Sequence, residues 1–339
     1  MRMEMDSTAG YNNTSVHFLT KTTTCSTLYS GRCHLSTQQI WILIVINIVV
    51  SLLNLASNSF VVYKIISQNQ VKHISMRLIL YLSISDCFLA MVTQPIFLVL
   101  LLKPSHPLTC STDIALQFVV VVSMRVSGYI IPLIGFDRYC RMKFWNRYTE
   151  FVSTGRMRFA LTFAILLSVV QGVLRSVESY QQLKGIEVVS HVVVCIDCCV
   201  LGTVILLYVL TIRVVKKHSD QSMVSSSTHF DVERTMTKVG TRILLSVVSF
   251  YTPHLVFGFV RPWIQSESSA GGEYRSIINF FVFLSYEFIF LNSFTNALIF
   301  LNMNWTKKKK RGRKVEERGH FTMTNCLSEE KNLELHILS

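Results

Sequence analysis

Seven runs of apolar residues, at about 38–66, 75–102, 113–139, 158–177, 189–215, 239–262 and 276–301, alternate along the chain with short polar connections. Each run is long enough, at about 1.5 Å of helical rise per residue, to carry an α-helix across a hydrocarbon core of about 30 Å. The expected fold is therefore an all-α membrane protein, a seven-transmembrane helix bundle spanning 38–301. Residues 1–37 form a tail before it and residues 302–339 a basic tail after it. The connections leave no room for a separate soluble domain, and no internal repeat is visible.

Composition agrees: half of the 339 residues are hydrophobic and only 16% are charged, which is wrong for a soluble chain of this size. Lys and Arg then set the orientation. With the N-terminus outside, the inner side carries Lys64, Lys72, Arg77, Arg138, Arg141, Lys143, Arg147, Arg156, Arg158, Arg213, Lys216, Lys217, Arg234, Lys238, Arg242 and the tail from Lys307. The outer side has only Arg2, Lys21, Arg32, Lys103, Arg175, Lys184, Arg261 and Arg275. That asymmetry places the N-terminus outside, and an odd number of helices places the C-terminus in the cytoplasm. The formal net charge of +13 is then an inward-facing charge that requires no nucleic acid. Lys307-Lys308-Lys309-Lys310-Arg311 suits anionic inner-leaflet lipid more simply than a specific partner.

Residues 1–36 are polar and contain no apolar signal region, so helix one is expected to act as its own insertion signal. Asn12 and Asn13 each open an Asn-x-Ser/Thr acceptor, usable for glycosylation on an outward tail. Of nine cysteines, Cys25, Cys33 and Cys110 face the oxidising side and are the disulfide candidates, with Cys195 near the boundary. Three pairings stay open, a Cys25–Cys33 loop being the simplest. Cys195, Cys198 and Cys199 have a C-x-x-C-C spacing without second ligands nearby and read as apolar core.

Polar residues inside the apolar runs carry the chemistry. Asn58, Asp86, Ser127, Asn292, Ser293 and Asn296 are oxygen-bearing side chains in otherwise greasy helices. A carboxylate at membrane depth persists only where partners or water reduce its cost. One Asp among neutral oxygens suits a hard monovalent cation, by extension from the oxygen preference of hard ions; hydrogen bonding between helices is the competing reading. Asp137-Arg138-Tyr139, at the inner end of the third run, places two opposite charges and an aromatic ring at the membrane edge, the makings of a switch.

These residues carry a resemblance that extends from helix one to helix seven. Asn58 in Asn54-Leu55-Ala56-Ser57-Asn58-Ser59, Asp86 in Leu82-Ser83-Ile84-Ser85-Asp86 and Asp137-Arg138-Tyr139 are similar to the first three helix signatures of the rhodopsin-like (class A) G-protein-coupled receptors. Tyr208 with Ile212, Phe250-Tyr251-Thr252-Pro253 and the segment from Leu291 to Phe300 resemble those of helices five, six and seven. The resemblance implies a plasma-membrane receptor for an extracellular ligand that activates a heterotrimeric G protein. It also implies that Arg138 engages the G protein once released from Asp137, with Tyr139, Tyr208 and Asn296 in the same switch. Asp86, Ser127, Asn292, Ser293 and Asn296 match the family's sodium pocket, with Asn58 beside it. Sodium is the one cofactor expected.

The chain departs from the family at several points. Tyr251 replaces the helix-six tryptophan, Ala297 the helix-seven proline, Phe300 the following tyrosine and Val200 the helix-five proline; helix four has no tryptophan. Without its proline, helix seven regains a backbone hydrogen bond and straightens. Cys110 stands three residues early for the family's outer disulfide, and 178–190 contains no Cys. Together with the short outer loop, these features are similar to the melanocortin, lysolipid and cannabinoid branch.

Val120 stands where amine receptors carry an Asp, and Phe290 where opsins carry a Lys, which argues against a biogenic amine in that mode and against a photoreceptor. The remaining ligand-pocket candidates are Arg125, Asp197, Tyr251, His254, Arg261, Tyr286 and Glu287. If helices three and five pack as the resemblance implies, Arg125 and Asp197 face each other and are expected to form a structural ion pair, and Glu287 is the best single candidate for a cationic ligand group. His254 fits a pocket contact or a satisfied bundle histidine equally. The ligand is then a peptide, a lipid or another small molecule. No metal-spaced cluster, phosphate-binding Gly loop or nucleophile elbow appears, so an enzyme is not expected. The alternatives are a receptor-like scaffold with weak or no G-protein coupling, prompted by Tyr251, Ala297 and Phe300, and a transporter, which would need broken helices and a repeated half.

Overall fold

In the computed structural model the described residues are 35–102, 110–144, 147–179, 186–221, 241–243, 245–257 and 276–302. All regular structure among them is helical. The helices are α1 (Thr37–Ser67), α2 (Ile74–Leu102), α3 (Cys110–Lys143), α4 (Thr154–Ser179), α5 (Ile186–Gln221), α6 (Thr241–Phe257) and α7 (Ser276–Asn302). Six are long and apolar enough to cross a membrane, and α6 is the shorter apolar helix. Residues 1–34, with Asn12, Asn13, Cys25 and Cys33, the segment 222–240, Arg261 and the tail from residue 303 lie outside the described residues.

Local sequence explains where the helices begin and bend. Ser36 and Gln39 form a reciprocal capping box at the start of α1, and Gln39 Oε1 also accepts from Ser276 Oγ at 2.8 Å, tying the first turns of α1 and α7 together. Past the end of α1, Asn69 takes a left-handed conformation (φ 50°), which an Asn tolerates, and one 3₁₀ turn, Gln70–Lys72, leads into α2.

Helix α2 contains a π turn, Leu89–Thr93, immediately before Pro95. Pro95 has no N–H, and in a regular helix its ring would collide with the carbonyl four residues back. Widening the turn relieves that collision, so Gln94 N–H bonds to Leu89 O, and the Ser51 hydroxyl of α1 donates to the stranded Ala90 carbonyl at 3.0 Å. The disturbance expected at Pro95 is thus a phase shift in the helix, closed by a side chain from its neighbour.

Helix α3 packs against α2, α4 and α5. It meets α4 closely at Gly172, where an added Cβ would lie 2.5 Å from Val122 Cγ2 and 3.0 Å from the Phe118 ring. Small residues let transmembrane helices approach this closely. Helix α7 is continuous through Ala297, as expected once the proline is gone.

The interior is layered. An outer apolar cluster includes Leu43, Leu89, Phe97, Met124 and Phe290, and an inner one Val61, Leu78, Ile130, Ile134, Ala297 and Phe300. Between them lies a polar layer, Asn54, Asn58, Asp86, Ser127, Ser246, Asn292, Ser293 and Asn296, all buried. The outside is apolar: Trp41, Leu52, Phe159 and Phe163 are exposed, as lipid-facing residues should be. Cys195 and Cys199, expected in the core, also lie on this outer surface, while Cys198 is half-buried. Hydrocarbon accepts a thiol as readily as a protein interior does, so an apolar run does not separate the two positions.

Candidate functional site

Asp86 lies at the centre of the polar layer and is fully buried. One of its oxygens, Oδ1, accepts from Ser127 Oγ at 2.6 Å and from Ser293 Oγ at 2.9 Å, so the carboxylate joins α2 to α3 and α7. The second oxygen is buried without a hydrogen-bond partner, as are both polar atoms of the Asn296 side chain. Asn292 accepts from Ser246 of α6 at 2.9 Å, and Asn58 donates to Asn54 Oδ1 at 2.6 Å. Residues from α1, α2, α3, α6 and α7 thus meet in one layer. The unsatisfied oxygens of Asp86 and Asn296 suit a hard cation or ordered water, since a buried polar atom left unpaired is costly.

At the inner end of α3 both oxygens of Asp137 are held by hydroxyls. Ser75 of α2 donates to Oδ2 at 2.6 Å, and Tyr148, in the one-turn helix Tyr148–Phe151 of the following loop, donates to Oδ1 at 2.5 Å. Arg141 donates to Ser75 Oγ at 3.0 Å and to the Tyr148 hydroxyl at 3.1 Å, and its guanidinium lies 4.4 Å from the Tyr148 ring centroid. Burial and the nearby Asp137 charge push the Tyr148 hydroxyl up to about 12, so it stays protonated and able to donate. The resemblance implies that Asp137 holds Arg138; the structure ties the two Asp137 oxygens to Ser75 of α2 and Tyr148 of the loop helix.

Arg138 itself is buried and lines a cavity of about 40 Å³ together with Ile134 of α3, Tyr208 and Thr211 of α5, and Thr241 and Ile243 of α6. Tyr139 turns the other way, its hydroxyl accepting from Lys143 Nζ at 2.7 Å. A buried guanidinium facing a small cavity between three helices can be exposed by moving any one of them.

A model of the 7 transmembrane receptor (rhodopsin family) matches residues 57–300 of this chain. The chain belongs to the rhodopsin family of seven-transmembrane receptors. No curated protein matches it. Members of this receptor family act with an extracellular ligand and a G protein, which gives the two ends of the bundle their general roles.

In the outer half of the receptor most candidate pocket residues are already engaged. Arg125 of α3 and Asp197 of α5 form an ion pair, with side-chain exposures of 16% and 7%. Beside it, Tyr129 donates to Gln171 of α4 at 2.5 Å. Tyr251 shares with Arg125 and Asp197 a cavity of about 30 Å³, room for about one water. Gly128 makes space for it: a Cβ there would lie 3.2 Å from the Tyr251 hydroxyl. His254 Nδ1 lies 3.2 Å from Ser285 Oγ, and its ring packs edge-on to Tyr286 with centroids 4.8 Å apart. Glu287 is buried and accepts from Asn47 Nδ2 of α1 at 2.9 Å.

Several of these partners escaped the sequence reading. Asn47, Gln171 and Ser246 were visible as polar interruptions of apolar runs, the signal that had drawn attention to Asn58 and Asp86. Ser75, Arg141 and Tyr148 gave no such signal, because polar residues at the inner membrane edge are ordinary.

Proposed function

We propose that this receptor sits in the plasma membrane, binds an extracellular ligand in the outer half of the bundle and activates a heterotrimeric G protein through the inner end of α3. The observation that carries the reading is Arg138. It is buried against a cavity bounded by α3, α5 and α6, while its neighbour Asp137 is fastened to Ser75 and Tyr148. Separating α6 from α3 would open that cavity and present Arg138 to a partner. With Arg125 and Asp197 paired to each other, His254 and Tyr286 are left as the surfaces a ligand meets above Tyr251, which lies beside the pair. Arg138→Ala should abolish ligand- or mutation-driven nucleotide exchange on co-expressed G proteins while surface expression persists. Exchange at the parent level in that variant would refute the proposal. No exchange by the parent chain under any condition would instead favour the scaffold alternative.

The Asp86 layer fits an allosteric sodium ion held by Asp86 with Ser127, Ser293, Asn292 and Asn296, and the partnerless Asp86 Oδ2 and Asn296 Oδ1 support it. Sodium there would stabilise the packed arrangement of α2, α3 and α7. The basic run Lys307–Arg311 is assigned to anionic inner-leaflet lipid, on charge alone.

A further inference from the structure

A second set of unsatisfied oxygens lies farther out, between α1, α2 and α7. Glu287 is 2% exposed, and Asn47 donates to its Oε1 at 2.9 Å; its Oε2 is buried with no hydrogen-bond partner. On α2, Thr93 and Gln94 are both 0% exposed, and the Thr93 hydroxyl and both amide atoms of Gln94 are likewise without partners.

Helix register brings these groups to one level. Ser51 of α1 bonds to the Ala90 carbonyl of α2, and the two helices run antiparallel. One turn outward from that contact are Asn47 on α1 and Gln94 on α2, and Asn47 is the residue bonded to Glu287. From the α2 side, Ala90, Thr93, Gln94 and Phe97 are all buried, so the π turn leaves these four side chains turned into the bundle. Phe97 at the outer end of that face packs on Phe283, Tyr286 and Phe290, with centroids 5.8, 5.7 and 5.6 Å apart. Phe283 and Phe290 stand one turn to either side of Glu287, so the middle of the α2 face meets the middle of the α7 face.

The site is closed on its outer side. Leu43, Phe97, Leu101 and Phe283 are all buried in the outer apolar cluster, one or two turns beyond the polar groups. A bulky ligand cannot reach Glu287 past them, which removes Glu287 from the surface an extracellular ligand would meet first. The occupant must be small.

We infer that Glu287, Gln94 and Thr93, held by Asn47, form a second internal binding site for a small monovalent cation such as sodium, separate from the Asp86 layer. A bare carboxylate with one neutral donor in apolar surroundings is costly to desolvate. A proton would neutralise it, but its single O–H could satisfy only one of the Thr93 and Gln94 oxygens. A hard cation takes Glu287 Oε2, Gln94 Oε1 and Thr93 Oγ1 together, with water completing its shell and accepting from Gln94 Nε2. The six residues from Glu287 to Ser293 put the two sites about 9 Å apart along α7. The inference rests on helix packing alone and not on G-protein coupling.

The test is thermal unfolding of the full-length purified receptor in detergent, with sodium chloride exchanged for choline chloride at constant ionic strength. Asp86→Asn should retain a sodium-dependent rise in the unfolding midpoint, and adding Glu287→Gln should remove that remainder. Gln94→Leu in the Asp86→Asn background should raise the half-saturating sodium concentration about tenfold. If Asp86→Asn is too unstable to purify, Glu287→Gln alone should convert a two-phase sodium titration into one phase. The inference is overturned if Asp86→Asn alone removes all sodium dependence, if the remainder survives Glu287→Gln, if the single variant titrates like the parent, or if the parent shows no sodium dependence.

Discussion

Neutralising Asp197 offers the most direct test of how the outer half of the bundle is held. Asp197→Asn removes the charge that Arg125 faces, and leaves a guanidinium that is only 16% exposed at membrane depth. Breaking a buried pair from one side costs about 3–5 kcal/mol, most of it the penalty on the abandoned charge. The cavity of about 30 Å³ beside the pair admits about one water, too little to hydrate Arg125 in compensation. For a chain with a cooperative core this size the loss should lower the unfolding midpoint by roughly 6–20 °C. The double variant Arg125→Met/Asp197→Leu should recover most of it, because apolar residues of similar volume replace a buried ion pair at little net cost. Unfolding in detergent followed by intrinsic fluorescence, run on the parent, Arg125→Met, Asp197→Leu and the double, yields the coupling directly. The reasoning fails if Asp197→Asn unfolds with the parent, or if the double variant is less stable than either single one.

Two other predictions come from the contacts of α3. Tyr148→Phe removes the hydroxyl on Asp137 Oδ1 and should raise ligand-independent nucleotide exchange severalfold, with surface expression unchanged; unchanged basal exchange would deny Tyr148 a restraining role. The same contact has a pH signature: a Tyr148 hydroxyl raised in the folded state contributes stability in full below about 10 and loses it as pH rises towards about 12, so Tyr148→Phe should not alter the pH profile of stability between about 6 and 9. Gly172→Ala forces a methyl to within 2.5 Å of Val122 Cγ2 and should destabilise the receptor by about 1–3 kcal/mol, measured as a lower unfolding midpoint; a neutral result would mean that α3 and α4 can part without cost.

The number of helices was legible because a 30 Å hydrocarbon layer demands long apolar runs, and nothing else in a chain produces seven of them. The inner polar layer was legible for a related reason: an Asp such as Asp86 inside such a run needs company, and Ser127, Ser293 and Asn296 stood out on other helices. Of the pairings between distant residues, the Arg125–Asp197 pair was legible because two opposite charges at membrane depth call for each other, whereas neutral or singly charged pairs were not. Asn47 and Glu287 are 240 positions apart, and each by itself reads as a lone polar residue. The form of the disturbance at Pro95 was hidden too, since a π turn is stable only if something covers the freed carbonyl, and Ser51 belongs to another helix. Tyr148 was invisible because a tyrosine in an inner loop carries no cost that would flag it.

The π turn in α2 has a bearing on which changes of length the receptor can tolerate. One residue more than a regular turn is held in Leu89–Thr93, so Gln94–Leu102 is rotated by about 100° relative to the face it would present on an unbroken α-helix. Removing a single residue from that turn would restore regular geometry and swing Gln94 and Phe97 away from α7, undoing the outer cluster while every helix stayed helical. Substitutions along α2 act one side chain at a time. A deletion there would change the frame in which its entire outer third is read.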